Sequence, residues 1–167
     1  LTEIRGDWPP ATIDRLDAVF EERRDEVPAT RKPSEHWPAN MLAGLSFMHR
    51  VEVERRHEIG VENISFGRDY PHSEGTWPNT KEYLRVLLAG VSEVEARLIL
   101  GENLARFLQL DLAALAPTVE RIGLLPQEVV VATAEIDPDL LTHLNARSGF
   151  GKPFEGEASA GNGLMIG

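Results

Sequence analysis

Apolar residues along this chain recur with two periods, and the alternation between them predicts the elements. From Ala11 to Val27, Ile13, Leu16, Phe20 and Val27 fall at helical spacing with charged residues between, which predicts an amphipathic helix ending before Pro28. Residues 28–40 carry Pro28, Pro33 and Pro38 among polar neighbours and read as a loop. Met41 to Phe47 is a near-continuous apolar run, the pattern of a strand buried on both faces. His49 to Ile59 reads as a helix closed by Gly60, and Val61 to Gly67 as a second strand. Leu1 to Ile4 reads as the end of a further strand, which gives about three parallel strands in all.

Helices fill most of the chain beyond Pro78. Tyr83, Leu84, Leu87 and Leu88 give a packing face to a helix over 80–89. Ser92 and Glu95 have the spacing of a capping box for a helix that Gly101 interrupts and that ends near Leu110. Beyond Asp111 the pattern loosens into short helices over 115–122, 126–132 and 139–145, the last capped by Asp137 with Pro138 at its first position. The Gly-rich run from Gly149 reads as a loose tail. The expected organisation is an α/β unit over 1–110, a helical extension over 111–148 and a flexible tail over 149–167.

Composition narrows the function classes. With net charge −10 and a sequence pI near 5.0, a nucleic-acid partner or an anionic membrane surface is disfavoured electrostatically. No apolar run approaches the roughly 20 residues that span a bilayer. The chain has no cysteine, which excludes disulfides, thiol catalysis and thiolate metal sites and fits a cytoplasmic protein. A small-molecule substrate and self-association in a homo-oligomer are the partners left in view.

The chemistry concentrates in the run Asn63 to Pro78, NISFGRDYPHSEGTWP, where a short apolar strand stops at Asp69. Parallel α/β sheets carry their chemistry at the carboxyl ends of strands, which makes Asp69 the first candidate. A turn cap through local side-chain bonds is the competing role for such an aspartate. Arg68 offers a bidentate partner for a substrate carboxylate, or a salt bridge pointing away. His72, three residues on, is placed to line a pocket mouth or to stabilise the turn. Ser46, at the end of the preceding strand, is a weaker pocket candidate, and Arg31, His36 and Trp37 in the long loop either reach a ligand or pack on its rim.

This run resembles the last-strand segment of the amidohydrolase-related family (amidohydrolase 2), metal-dependent (β/α)8 TIM barrels similar to 2-amino-3-carboxymuconate-6-semialdehyde decarboxylase. The likeness extends upstream through Arg55-Arg56-His57-Glu58-Ile59-Gly60-Val61 and downstream through Ile99 to Phe107, three motifs in order, and covers roughly 1–110. The resemblance implies that the chain is the C-terminal portion of such a barrel, since a whole one takes about 250 residues. It also implies that Asp69 ligates a divalent metal, most readily Zn with Mn or Fe as alternatives, and acts in catalysis, the other ligands lying upstream of Leu1. The family's catalytic His at the end of the sixth strand corresponds most nearly to Glu3, a departure that weakens the decarboxylase expectation. Three readings remain: part of a metal-dependent hydrolase or non-oxidative decarboxylase, a catalytically degenerate relative serving as a binding or assembly module, or a free-standing α/β domain with three strands.

Overall fold

In the computed structural model of the chain, described over residues 6, 8–72 and 75–146 and with side chains to Thr142, the protein is mixed α/β. Its helix α1 spans Pro9–Glu22 and α2 spans Pro33–Asn40. Strand β1, Ala43–Ser46, leads into α3, Arg50–Glu54, and α4, Arg56–Ile59. A short 3-10 turn at Val61–Asn63 enters β2, Ile64–Gly67. Next come α5, Thr80–Leu87, and α6, Glu93–Arg97, which runs through a π turn at Leu98–Glu102 into α7, Asn103–Phe107. The last three are α8, Leu112–Ile122, α9, Pro126–Val129, and α10, Pro138–Ala146.

β1 and β2 pair in parallel, Ala43 opposite Ile64 and Ser46 opposite Gly67, and form a βαβ unit. Among the described residues this sheet has two strands; the strand expected at Leu1–Ile4 and the tail expected from Gly149 lie outside them. Both strands are buried as their apolar runs predict, with Ala43, Leu45 and Ile64 fully inside. β2 is shorter than its apolar run, because Val61–Asn63 winds as a 3-10 turn before the ladder begins.

The core joins both strands to α3, α4, α5 and the helix through the π turn: Phe47, Met48, Val53, Ile59, Leu87, Leu88 and Ile99 are all essentially without solvent contact. Val129 belongs to it too, with Ile136, Leu140 and Leu141 packed against it, so residues 126–141 rest on the α/β unit. Lys81 pairs with Glu128, and Arg85 donates to the Glu128 carbonyl at 2.9 Å.

The structure departs from the sequence pattern in three places before β2 and again at α9, which stops at Val129 where a helix to residue 132 is expected, because Val130 is extended. The expected loop over 28–40 contains α2, started by Pro33 and by the Glu35 carboxylate, which accepts from the Lys32 amide at 2.7 Å. It is fixed from outside: Trp37 Nε1 donates to the Ile59 carbonyl at 2.6 Å, and Asn63 Nδ2 to the Trp37 and Met41 carbonyls at 2.8 Å each. The expected helix over 49–59 is two short ones that meet at Arg55. The helix from Ala11 starts two residues earlier and stops at Glu22, and the turn after it closes on Arg23, which donates to Val19.

The caps expected at Ser92 and Asp137 hold, while the break expected at Gly101 does not. Glu95 N–H donates to Ser92 Oγ at 3.3 Å, with Ser92 Oγ donating back to the Glu95 carboxylate at 2.9 Å. Asp137 accepts from the Asp139 amide at 2.8 Å ahead of α10. At Gly101 the helix continues but widens to π geometry, bringing Ile99 down onto β2.

Candidate functional site

Both parallel strands end in a left-handed residue that is not glycine. Phe47, just past β1, has φ of 49°, and Asp69, two residues past β2, has φ of 56°. For a bulky residue such as Phe this is an outlier, and backbone strain of this kind gathers at functional sites. Phe47 is held there because its N–H extends the ladder to the Gly67 carbonyl at 3.1 Å and its ring packs on Tyr83 at 4.7 Å. The two strand ends therefore lie side by side, as the carboxyl edge of a parallel sheet requires.

Asp69 begins a turn closed by the His72 N–H donating to the Asp69 carbonyl at 2.9 Å, with a cis peptide bond between Tyr70 and Pro71. Its side chain is only 14% exposed, whereas that of His72 is 58% exposed. His72 Nδ1 lies 3.0 Å from Asp69 Oδ1, so imidazole and carboxylate form a hydrogen-bonded pair at the solvent boundary. Gly75 closes the loop from behind. A Cβ on it would stand 2.8 Å from the carbonyl oxygens of both Arg68 and Asp69, so only glycine permits this approach. Gly67 has a similar role against β1, where an added Cβ would meet Leu45 O and Ser46 Cα at 3.3 Å.

Arg68 is exposed, with its guanidinium 5.1 Å over the Tyr70 ring. Tyr70 in turn meets Trp77 edge-on at 5.8 Å, both rings more than half exposed. Ser46 is half-buried at the end of β1, opposite Gly67 and so on the same strand edge as Asp69. The structure thus gathers Asp69, His72, Arg68 and Ser46 at one end of the sheet, while Glu3 lies outside the described residues. Trp37 belongs to the core, His36 pairs with Asn40 at 3.1 Å, and Arg31 donates to the Glu35 carbonyl at 2.6 Å.

Sequence reasoning missed the Tyr70 and Trp77 pair, Gly75, and the buried Glu52. The Glu52 carboxylate lies behind the end of β1 and accepts from the His49 amide at 2.6 Å and from the Gly6 amide. Glu52 follows His49 at capping-box spacing, but His is an unusual N-cap residue and the signature is read from Ser, Thr, Asp or Asn.

The donor set bears on the metal. Asp69 and His72 supply an oxygen and a nitrogen, and among the described residues no group of three or more His, Cys, Asp or Glu lies together. A catalytic zinc takes three protein ligands, so this pair fits only as part of a larger set. At the other end of the strands, a cleft of about 400 Å³ lined by Met41, Asn63, Asn103 and Arg106 has its buried amides already committed to backbone carbonyls.

Fold and strand-end geometry together define a mixed α/β protein with a parallel βαβ unit whose polar side chains collect at the carboxyl edge. The chain matches no known protein-family model and no curated protein. Among the described residues, no helix is long and apolar enough to cross a membrane.

Proposed function

We propose that this chain is the C-terminal part of a metal-dependent (β/α)8 barrel of the amidohydrolase-related kind, a hydrolase or non-oxidative decarboxylase acting in the cytoplasm on a small cyclic or carboxylic substrate. The observation that carries this reading is Asp69: a largely buried carboxylate at the carboxyl end of a parallel strand, held left-handed and oriented by His72. The three sequence motifs that resemble the family lie on elements that meet around this strand, since α4, β2 and the π turn pack together.

In that role Asp69 is one ligand of a site completed by residues outside the described set. A divalent metal, Zn before Mn or Fe, supplies polarisation of a substrate oxygen or of water when bound. His72 holds one carboxylate oxygen, which fixes the direction of the other and gives the site a partner for proton exchange. Arg68 and the Tyr70 and Trp77 rings offer a planar, acidic substrate one cation and two faces. Ser46 contributes a hydroxyl from the neighbouring strand.

The alternative is a relative without catalysis, serving in binding or assembly, and Glu3 at the position matching the family's His favours it. Coding sequence upstream of Leu1 separates the two. A His-x-His near its start, and loss of bound metal from the encoded protein on Asp69→Asn, support the enzyme. A metal content unchanged by Asp69→Asn sinks it.

A further inference from the structure

Arg68 is stacked rather than paired. Its guanidinium lies on the Tyr70 ring, and among the described residues no carboxylate bonds to it. Arg50, Arg55, Arg56, Arg97 and Arg106 each meet a glutamate. In a chain with 27 acidic residues, an exposed cation left on an aromatic face at a strand end therefore keeps its donors for an acceptor from outside. Tyr70 and Trp77 cross at 67° and are 62% and 53% exposed, so both keep ring surface open beside the guanidinium.

This corner is fixed at both ends. Thr76, fully buried beside Trp77, donates its N–H to the Arg68 carbonyl at 3.4 Å, and its Oγ1 lies 2.9 Å from Thr80 Oγ1 at the start of α5. Gly75 packs on the carbonyls of Arg68 and Asp69. A ligand arriving here has little backbone left to order, which lowers the cost of binding. The charge of that ligand follows from the single guanidinium, whose planar fork matches one carboxylate through two parallel bonds. A phosphate near −2 would meet one cation beside Asp69 on a chain of net charge −10. The two rings set its shape, a flat aromatic body.

We propose that Arg68, Tyr70 and Trp77 form a recognition corner for an aromatic carboxylate, with the carboxylate on Arg68 and the ring against Tyr70 and Trp77. This rests on the strand-end site proposed above and narrows its substrate from cyclic or carboxylic to a ring that carries a carboxylate, recognised without help from a metal. The chain stripped of metal by a chelator and titrated with benzoate should show saturable movement of the Trp77 indole N–H signal, assigned by its loss in Trp77→Leu. The Kd should be about 1–10 mM, in keeping with so small a ligand. Arg68→Gln should weaken benzoate by about tenfold or more. Its fold is checked by the indole signal of Trp37, which is buried and bonded to the Ile59 carbonyl and should not move. Benzamide has the ring without the charge, and cyclohexanecarboxylate the charge without an aromatic face; each should bind at least about threefold more weakly than benzoate. No saturation at the Trp77 signal by about 50 mM benzoate overturns the proposal. So does an affinity indifferent to Arg68→Gln, or either analogue binding as well as benzoate. Because this binding is read without metal, its failure leaves the metal readout of Asp69→Asn untouched, and a metal content indifferent to Asp69→Asn leaves this binding untouched, so the two proposals fail separately.

Discussion

His72 and Asp69 are joined twice, by the His72 N–H donating to the Asp69 carbonyl at 2.9 Å and by Nδ1 lying 3.0 Å from Oδ1. The backbone bond sets the turn and the side-chain bond sets the carboxylate, so the two contributions separate by mutation. His72 is more than half exposed, and His72→Ala should cost under about 1 kcal/mol of stability. In the metal-loaded protein proposed above, the same change should weaken metal binding by about 10–100-fold, the usual effect of losing a group that orients a ligand. Asp69→Asn should abolish binding. Denaturant titration and metal titration of the two variants check this, and equal affinities in both would contradict the assigned roles.

Gly75 should be as sensitive as Asp69 although it has no side chain. Gly75→Ala drives a methyl group against two carbonyl oxygens at 2.8 Å, so the loop must move away from Asp69. We expect a loss of about 1–3 kcal/mol. Chemical-shift changes should centre on residues 68–72, as two-dimensional amide spectra of the two proteins would show.

Asn103 is fully buried, and its Nδ2 donates at 2.8 Å to the carbonyls of Val61 and Ile64, where the 3-10 turn becomes β2. Asn103→Ala leaves those carbonyls without this donor and opens a cavity, at a cost of about 3 kcal/mol. Asn103→Asp should be no milder, since it supplies no equivalent donor and buries a carboxylate. Urea unfolding measures both.

Acid stability should depend on Glu95. Its carboxylate accepts from Arg56 at 3.2 Å and from Ser92 Oγ, and these bonds, the Arg56 one first, hold its pKa below the ordinary carboxylate value. A depressed folded pKa contributes stability that is present above the unfolded value of about 4.3 and lost as pH falls through the folded one. Glu95→Gln should therefore destabilise by about 1 kcal/mol at pH 7 and make progressively less difference below about pH 4, as thermal unfolding across pH would reveal.

Four helices show how much was legible locally. Glu35, Glu52, Glu95 and Glu128 each follow an N-cap by three residues, and each carboxylate bonds at that cap. Only the cap at Ser92 reads from the sequence, because a serine announces it; Lys32, His49 and Leu125 do not. The Lys32 case hid α2, where Pro38 inside the segment reads as a helix breaker. Trp37 and Asn63 override it through bonds that reach 22 or more residues along the chain.

Local sequence was enough to mark the apolar runs of β1 and β2, the amphipathic face of α5, the caps at Ser92 and Asp137, and Asp69 at the end of a strand, whereas on α1 Ile13 and Phe20 face inward but Leu16 is exposed. Each of these depends on side chains within a few residues of one another. Long-range packing set the rest: which strand edge Ser46 shares with Asp69, the burial of Glu52 and Asn103 against amide and carbonyl groups distant in sequence, and the approach of Gly75 to the Asp69 backbone. Those contacts join residues that no periodicity relates, and they form only once the helices close over the sheet and the unpaired backbone groups must find partners.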